Sequence, residues 1–256
     1  MARTLLPIAF VVAFACLASA QVARPQESLG FIYNRESAFS LRIHTNRGIQ
    51  PGIEWGRLRT YYKTTLFSLN ISELKHPKEQ RQSASPTQSR AFRPYVFGKQ
   101  NNAFVVRAGW GMKRYYSEKA RQKGVAMGMT YSFGPALGLI KPYYLALSRP
   151  DPDNPGRGRA MHEKYTEANA AIFTDRYRIL GASPFLKGIG ETDITLGGSA
   201  SVALHMDWGA FDEVVKALEI GVMLDAFAKP VPILVGDGNS RAFLNFFVGL
   251  QFGKRR

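Results

Sequence analysis

Hydrophobic and polar positions alternate along much of this chain, most cleanly between Asp193 and Trp208. Even positions there carry Ile194, Leu196, Val202, Leu204, Met206 and Trp208, while odd positions carry Asp193, Thr195, Ser199, Ser201, His205 and Asp207. A period of two sustained over that length predicts an extended strand with one apolar and one polar face. Strands of soluble sheets usually run about 5–6 residues. A strand crossing a membrane uses about 9–11 tilted residues and projects beyond the hydrocarbon at its ends, which fits this stretch better.

Comparable segments recur. Phe39, Leu41 and Ile43 alternate with Ser40, Arg42 and His44 before the turn sequence Asn46-Arg47-Gly48. Residues 50–73 are β-rich but alternate cleanly only in their second half. Further along, Phe104, Val106, Trp110 and Met112 oppose Val105, Arg107, Gly109 and Lys113, and Met127, Met129, Tyr131 and Phe133 oppose Gly128, Thr130 and Ser132. Gly134-Pro135 reads as a break. The predicted strands are 37–46, 50–73, 94–115, 122–133, 137–149, 192–208, 213–228 and 240–253, about eight in all, with ten still open. The fold class this implies is all-β, an antiparallel transmembrane β-barrel.

An even number of strands puts both termini on one side, as bacterial outer-membrane barrels require. With the N-terminus in the periplasm, the long irregular region 149–191 and the loop 229–239 fall outside the cell, and the link after Trp208 falls inside. A short helix is expected around 161–172. Residues 74–93 would then make an unusually long periplasmic connection. Tyr61, Tyr62, Tyr115, Tyr116, Tyr143, Tyr144 and Trp208 lie near predicted strand ends or kinks, where aromatic girdles belong.

The N-terminus sharpens the address. Arg3, an apolar run from Leu5 to Leu17 and then Ala18-Ser19-Ala20 form a secretory signal peptide, residues 1–20, cleaved near Ala20. Cys16, the only cysteine, lies inside it; a lipoprotein cut before Cys16 is the rival, with Ala13-Phe14-Ala15 a poor match to the leucine-led site. Removing 20 of the 256 residues leaves 236, and losing Arg3 lowers the net charge from +15 to +14. Residues 21–36 form a polar leader and 37–253 the barrel. No apolar stretch approaches the roughly 18–20 residues of a spanning helix, so membrane residence requires a closed barrel.

The segment Asn245-Phe246-Phe247-Val248-Gly249-Leu250-Gln251-Phe252 resembles the terminal strand by which outer-membrane barrels are recognised for assembly, although Gly253-Lys254-Arg255-Arg256 follow its last aromatic residue. The strings His76-Pro77-Lys78-Glu79, Tyr95-Val96-Phe97-Gly98-Lys99 and Leu137-Gly138-Leu139-Ile140-Lys141-Pro142-Tyr143-Tyr144-Leu145 are similar to those of a family of uncharacterised outer-membrane β-barrel proteins of gram-negative bacteria. The resemblance spans most of the mature chain. It implies fold and location, and engagement of the barrel assembly machinery through residues 245–252. It carries no activity.

If the apolar faces touch lipid, the inward set holds Arg42, His44, Arg107, Lys113, Asp193, His205, Asp207, Glu219, Asp225, Arg241 and Gln251. An eight-stranded barrel is only just wide enough for its own side chains, so these charges are expected to pair and plug the lumen. A narrow anion-preferring channel lined by Arg42, Arg107, Lys113 and Arg241 is an alternative. So is a lipid A-modifying enzyme using His205, yet Ser201 and His205 stand about 13 Å apart along one strand, too far for a direct hydrogen bond. A soluble periplasmic barrel binding lipid inside would reverse the faces, turning Leu204 inward and His205 outward. No zinc-ligand spacing or nucleotide fingerprint is present, so no catalytic set, metal or cofactor is expected. The basic excess, 34 Lys and Arg against 19 Asp and Glu, suits lipopolysaccharide phosphate rather than nucleic acid, which a secreted protein does not routinely meet. Lys119, Arg121, Lys123, Arg157 and Arg159 are the candidate contacts; scattered solubilising charge explains them equally well.

Overall fold

The computed structural model describes residues 33–83, 93–117, 124–150, 158–209, 213–236 and 239–256. The expected signal peptide and leader up to residue 32, together with Lys119, Arg121, Lys123 and Arg157, lie outside the described residues. Eight strands close an antiparallel barrel: β1 (Arg35–His44), β2 (Ile49–Thr60), β3 (Lys63–Leu74), β6 (Asn101–Tyr115), β7 (Ala126–Pro142), β11 (Asp193–Asp207), β12 (Val214–Phe227) and β13 (Ala242–Arg255). They follow one another round the wall in chain order, and β1 pairs with β13 to complete the ring.

Five shorter strands lie outside the wall. β4 (Arg81–Gln82) pairs with β5 (Tyr95–Val96), and β8 (Tyr144–Pro150) lies between β9 (Gly158–Lys164) and β10 (Ile179–Ala182). One α-helical turn, α1 (Ala170–Phe173), preceded by a 3₁₀ turn over Glu167–Asn169, accompanies them. The helix expected around 161–172 thus occupies 167–173, because 161–164 belong to β9, paired with β8.

The strand number matches expectation, but two boundaries differ. Residues 50–73 are two strands folded at Tyr61-Tyr62, whose rings meet edge to face at 4.9 Å. No Gly, Pro or Asn marks that turn. Conversely, β7 runs straight through Gly134-Pro135. Its ladder to β6 skips the pairs between Arg107↔Ala136 and Trp110↔Phe133, while its ladder to β11 is unbroken. Pro135 lacks an N–H and sits where β6 bonding lapses; a Cβ on Gly134 would collide with the carbonyl of Ala108.

Placing the extra turn at Tyr61-Tyr62 moves the 75–100 connection to the same end as 143–192 and 228–241. The three longest connections share one end, hereafter the loop end, with the short turn 45–48; Tyr33, Arg256 and the connections 61–62, 116–125 and 208–213 share the other, hereafter the terminus end. The long connection expected in the periplasm therefore stands with the other long loops.

A row of paired residues fixes the barrel's geometry. It passes from Lys254 through Ser37, Trp55, Phe67, Trp110, Phe133, Ala200 and Leu224 to Leu244, returning to β13 ten residues from its start. Eight strands with that stagger tilt about 40° from the axis. Each residue then advances roughly 2.5 Å along the axis, and about ten residues span the ~25 Å apolar band of a membrane barrel.

Outward positions follow that band. Phe133 is 66% exposed, Phe246 59% and Trp110 64%, whereas inward Glu219, Asp225 and His205 are 0% exposed. This inverts the usual arrangement, in which charges face water and apolar groups are buried. Below the band, at the terminus end, Arg35, Arg57, Lys63, Arg114, Lys216 and Lys254 are exposed. Tyr62, Tyr116 and Trp208 are exposed at the same end. Tyr115, expected with them, instead faces the lumen at 6% exposure.

Candidate functional sites: the lumen and a basic cleft at the loop end

Strict alternation along β1, β12 and β13 delivers one charged side chain after another to the interior. In the half nearest the termini these form one connected network. Arg42 donates to Glu54 at 2.7 Å and to Glu219 at 2.8 Å and 3.1 Å. Lys113 donates to Glu36 at 2.8 Å, and Gln251 donates to Glu54 at 2.9 Å. Arg255 donates to Glu36 at 2.9 Å and also to Asp207. Tyr115 donates to Asp207 at 3.0 Å, while the His205 ring lies 3.2 Å from Glu219 and 3.4 Å from the Tyr115 hydroxyl.

Nearer the loop end, Arg107 grips Asp225 with two bonds of 2.7 Å and donates to Ser72 at 2.6 Å. His44 meets Gln50 at 2.6 Å. Between the two groups a gap of about 10 Å³ remains among Arg42, Ser68, Asn70, Ser132 and Ser201, room for about one water. Above Arg107 the interior turns apolar. Val231 and Ile233, from the 228–241 connection, pack among Leu74, Val105, Ile140, Phe227 and Phe243. Backbone bonds from Gln100 and Asn101 to the Ile233 carbonyl, and from Asn101 Nδ2 to the Pro232 carbonyl, hold that segment in the mouth.

Of the residues expected inside, Arg42, His44, Arg107, Lys113, His205, Asp207, Glu219, Asp225 and Gln251 are buried there. Asp193 and Arg241 are not. Asp193 has the inward parity, but it pairs with Ile140 at the top of the tilted wall and is exposed; Arg241 precedes β13 and is exposed. Alternation gives the face of a residue and not its height. Glu36, Glu54 and Arg255 were missed, since the first fell in the expected leader, the second in the fused 50–73 segment and the third past the expected end at 253. Of the candidate anion path, Arg42, Arg107 and Lys113 are each tied to a carboxylate, and Arg241 lies outside the lumen. Ser201 Oγ lies 2.8 Å from Ser132 Oγ, apart from the His205 partners. His205 is inward and Leu204 outward of it, opposite to the arrangement a soluble lipid carrier would need.

A second site lies at the loop end, outside the wall. A cleft of about 1190 Å³ is bounded by the turn at Thr45, by residues 73–81 and 93–104, by Lys141 to Tyr144 and by 182–187. The three strings that resemble the outer-membrane family meet here. Lys99 donates to Glu79 at 3.1 Å and lies 6.0 Å from the Tyr143 ring centre, and the Tyr143 hydroxyl accepts from the Val96 N–H at 3.3 Å. Burial raises the pKa of that hydroxyl. Behind the cleft, Tyr95, Leu145, Leu147, Phe173 and Ile179 form a small core of the cap. On its far edge Arg149 hydrogen-bonds both oxygens of Glu163 at 2.8 Å, which holds that carboxyl below its ordinary range.

Arg159 of the expected lipopolysaccharide contacts is exposed in β9, at the loop end. Lys119, Arg121 and Lys123 belong to a connection whose flanking residues, Tyr115 and Ala126, stand at the terminus end, away from Arg159.

No protein-family model matches the chain, and no curated protein matches it. Among solved structures, it is similar to the N-terminal β-barrel domain of Pseudomonas aeruginosa OprF, with 10% identity over 88% of this chain and 98% of that chain and a TM-score of 0.34. It is also similar to Neisserial surface protein A (NspA), with 10% identity over 85% of this chain and 93% of that chain and a TM-score of 0.32.

Proposed function

We propose that this chain is an outer-membrane β-barrel protein of a gram-negative bacterium, with a structural or surface-interaction role and a lumen plugged by its own side chains. The observation that carries the reading is the inverted polarity of the wall: carboxylates, guanidiniums and an ammonium are buried inside, and a continuous apolar band faces outward. In water such a band would be an aggregation surface; in a bilayer it is the matching surface. The termini then face the periplasm and the long connections face outward. Lipid and lipopolysaccharide are its immediate partners, and β13 is the strand offered to the assembly machinery. A signal peptide ending near Ala20 directs export.

Function of this kind is tested by fractionation and by mobility on a detergent gel with and without boiling. The folded barrel should stay with the outer membrane and run faster unboiled. Release by osmotic shock without detergent would sink the proposal. Plugging is tested separately in planar bilayers, where insertion without conductance steps is expected; sustained anion-selective steps would refute it.

A further inference from the structure

We infer that the loop-end cleft binds the phosphate-bearing headgroup of an anionic glycolipid whose acyl chains lie on the apolar wall below it. This rests on the outer-membrane reading and adds a place and a ligand class to it. Seven cations line the cleft with two carboxylates, Glu73 and Glu79. Both carboxylates are already engaged: Glu73 by Lys75 at 3.3 Å and Lys99 at 3.5 Å, and Glu79 by Lys99 at 3.1 Å. Among the described residues, Arg47, Arg81, Arg93, Lys141 and Lys187 make no ion pair. Lys141 is the most telling, since it is 5% exposed and its ammonium meets the carbonyls of Phe185 and Lys187, at 2.5 Å and 3.1 Å, and the Phe185 ring at 4.5 Å, but no carboxylate among the described residues. A buried ammonium with no anion nearby is costly unless one arrives.

Position decides which anion. Glu73, Phe104 and Leu139 pair across β3, β6 and β7, one outward step beyond Ile71, Val106 and Leu137. The first cation on these strands, Lys141, lies one further step beyond Leu139, about 7 Å along β7 from that last apolar row, at headgroup depth. The wall positions that line the cleft, Glu73, Phe104 and Lys141, have the outward parity of β3, β6 and β7, whereas Val231 and Ile233 pack within the mouth. Beside it Phe185, Leu186 and Ile189 are more than half exposed, and Phe185 packs edge to face on Phe104 at 6.0 Å. Charge above a greasy wall matches a lipid with a polyanionic head, and multiple Lys and Arg contacts to phosphate supply its recognition.

Full-length protein would be reconstituted into phosphatidylcholine nanodiscs containing a bisphosphorylated diglucosamine lipid. Bound lipid is then counted by native mass spectrometry across a lipid titration. First, a heat-modifiable band co-purifying with the discs shows that the barrel has inserted; failure there defeats the outer-membrane reading, not the cleft. Given insertion, wild type should retain the phosphorylated lipid, and Arg81→Gln/Arg93→Gln/Lys187→Gln should bind it at least about tenfold more weakly. Arg57→Gln/Arg59→Gln/Lys63→Gln, at the opposite end, should bind it as wild type does. These exposed positions leave the fold intact; Lys141→Met is measured separately and should weaken binding further. Equal retention by both triple variants would overturn the inference. So would equal affinity for the dephosphorylated lipid, or equally tight binding of soluble tripolyphosphate, which would make the ligand a free polyanion.

Discussion

Replacing Arg107 by Met tests whether the lumen is a dry, paired interior or a wet one. Arg107 is 3% exposed and Asp225 0%, and their two bonds are both 2.7 Å. Removing one member of a buried pair leaves the other charge uncompensated, at a cost of about 3–5 kcal/mol. Arg107→Met or Asp225→Leu alone should each lower unfolding free energy by that much, about two to four decades in the folded-to-unfolded ratio. In Arg107→Met/Asp225→Leu the uncompensated charge is gone, and the double variant should return to within about 1 kcal/mol of wild type. The cycle thus gives a coupling of several kcal/mol. The assay is urea unfolding in detergent micelles, followed by tryptophan emission and by loss of the fast gel band. Single-variant costs below about 1 kcal/mol that simply add would refute the reasoning, because they are what a hydrated, screened pair gives.

Other consequences can be measured on the same preparation. Val248→Arg, midway up the lipid face, should cost about 2–4 kcal/mol in a bilayer, and no cost there would contradict membrane exposure of β13. Gly134→Ala should block or severely weaken folding, read as loss of the heat-modifiable band, since the new methyl overlaps the Ala108 carbonyl. Because Arg149 lowers the Glu163 pKa from 4.5, that contribution to the folded cap is full above the ordinary value and fades as pH falls through the range below it. Hydrogen-exchange protection of the β8–β9 hairpin, corrected for intrinsic rates, should decline there in wild type and decline less in Arg149→Gln, where only the Asn169 amide still holds the carboxylate. The change should stay below about 1 kcal/mol, as for other partly exposed pairs.

Period-two patterning revealed the wall because one face is apolar and the other charged or polar, so every residue of a strand reports its side. It did not reveal the ends. Tyr61-Tyr62 turns the chain with aromatic residues suited to an interface, and Gly134-Pro135 continues a strand where a neighbouring ladder lapses. Two errors of opposite sign left the strand number intact while reversing which connections share an end. The lumen partners were visible where they alternated with apolar residues, as Arg42, Glu219 and Asp225 do. They were invisible at Glu36 and Arg255, which lie where the outward face has already become polar. The cleft had no periodic signal at all: its cations come from five separate stretches, and only the fold brings Arg47, Arg93 and Lys187 together.

The seam between β1 and β13 has a kinetic consequence. Every other pairing in the wall joins consecutive staves, which can zip together one hairpin at a time. Glu36 and Arg255 are 219 positions apart, and joining such distant residues in a free chain costs about 5 kcal/mol of loop entropy. Closure therefore comes last. Until it does, the protein is a curved sheet with two unpaired edges and one greasy face, the form most prone to pairing with a second chain. The meeting of these two edges closes the largest loop in the wall, and anything that shelters them beforehand keeps the chain from that unwanted pairing.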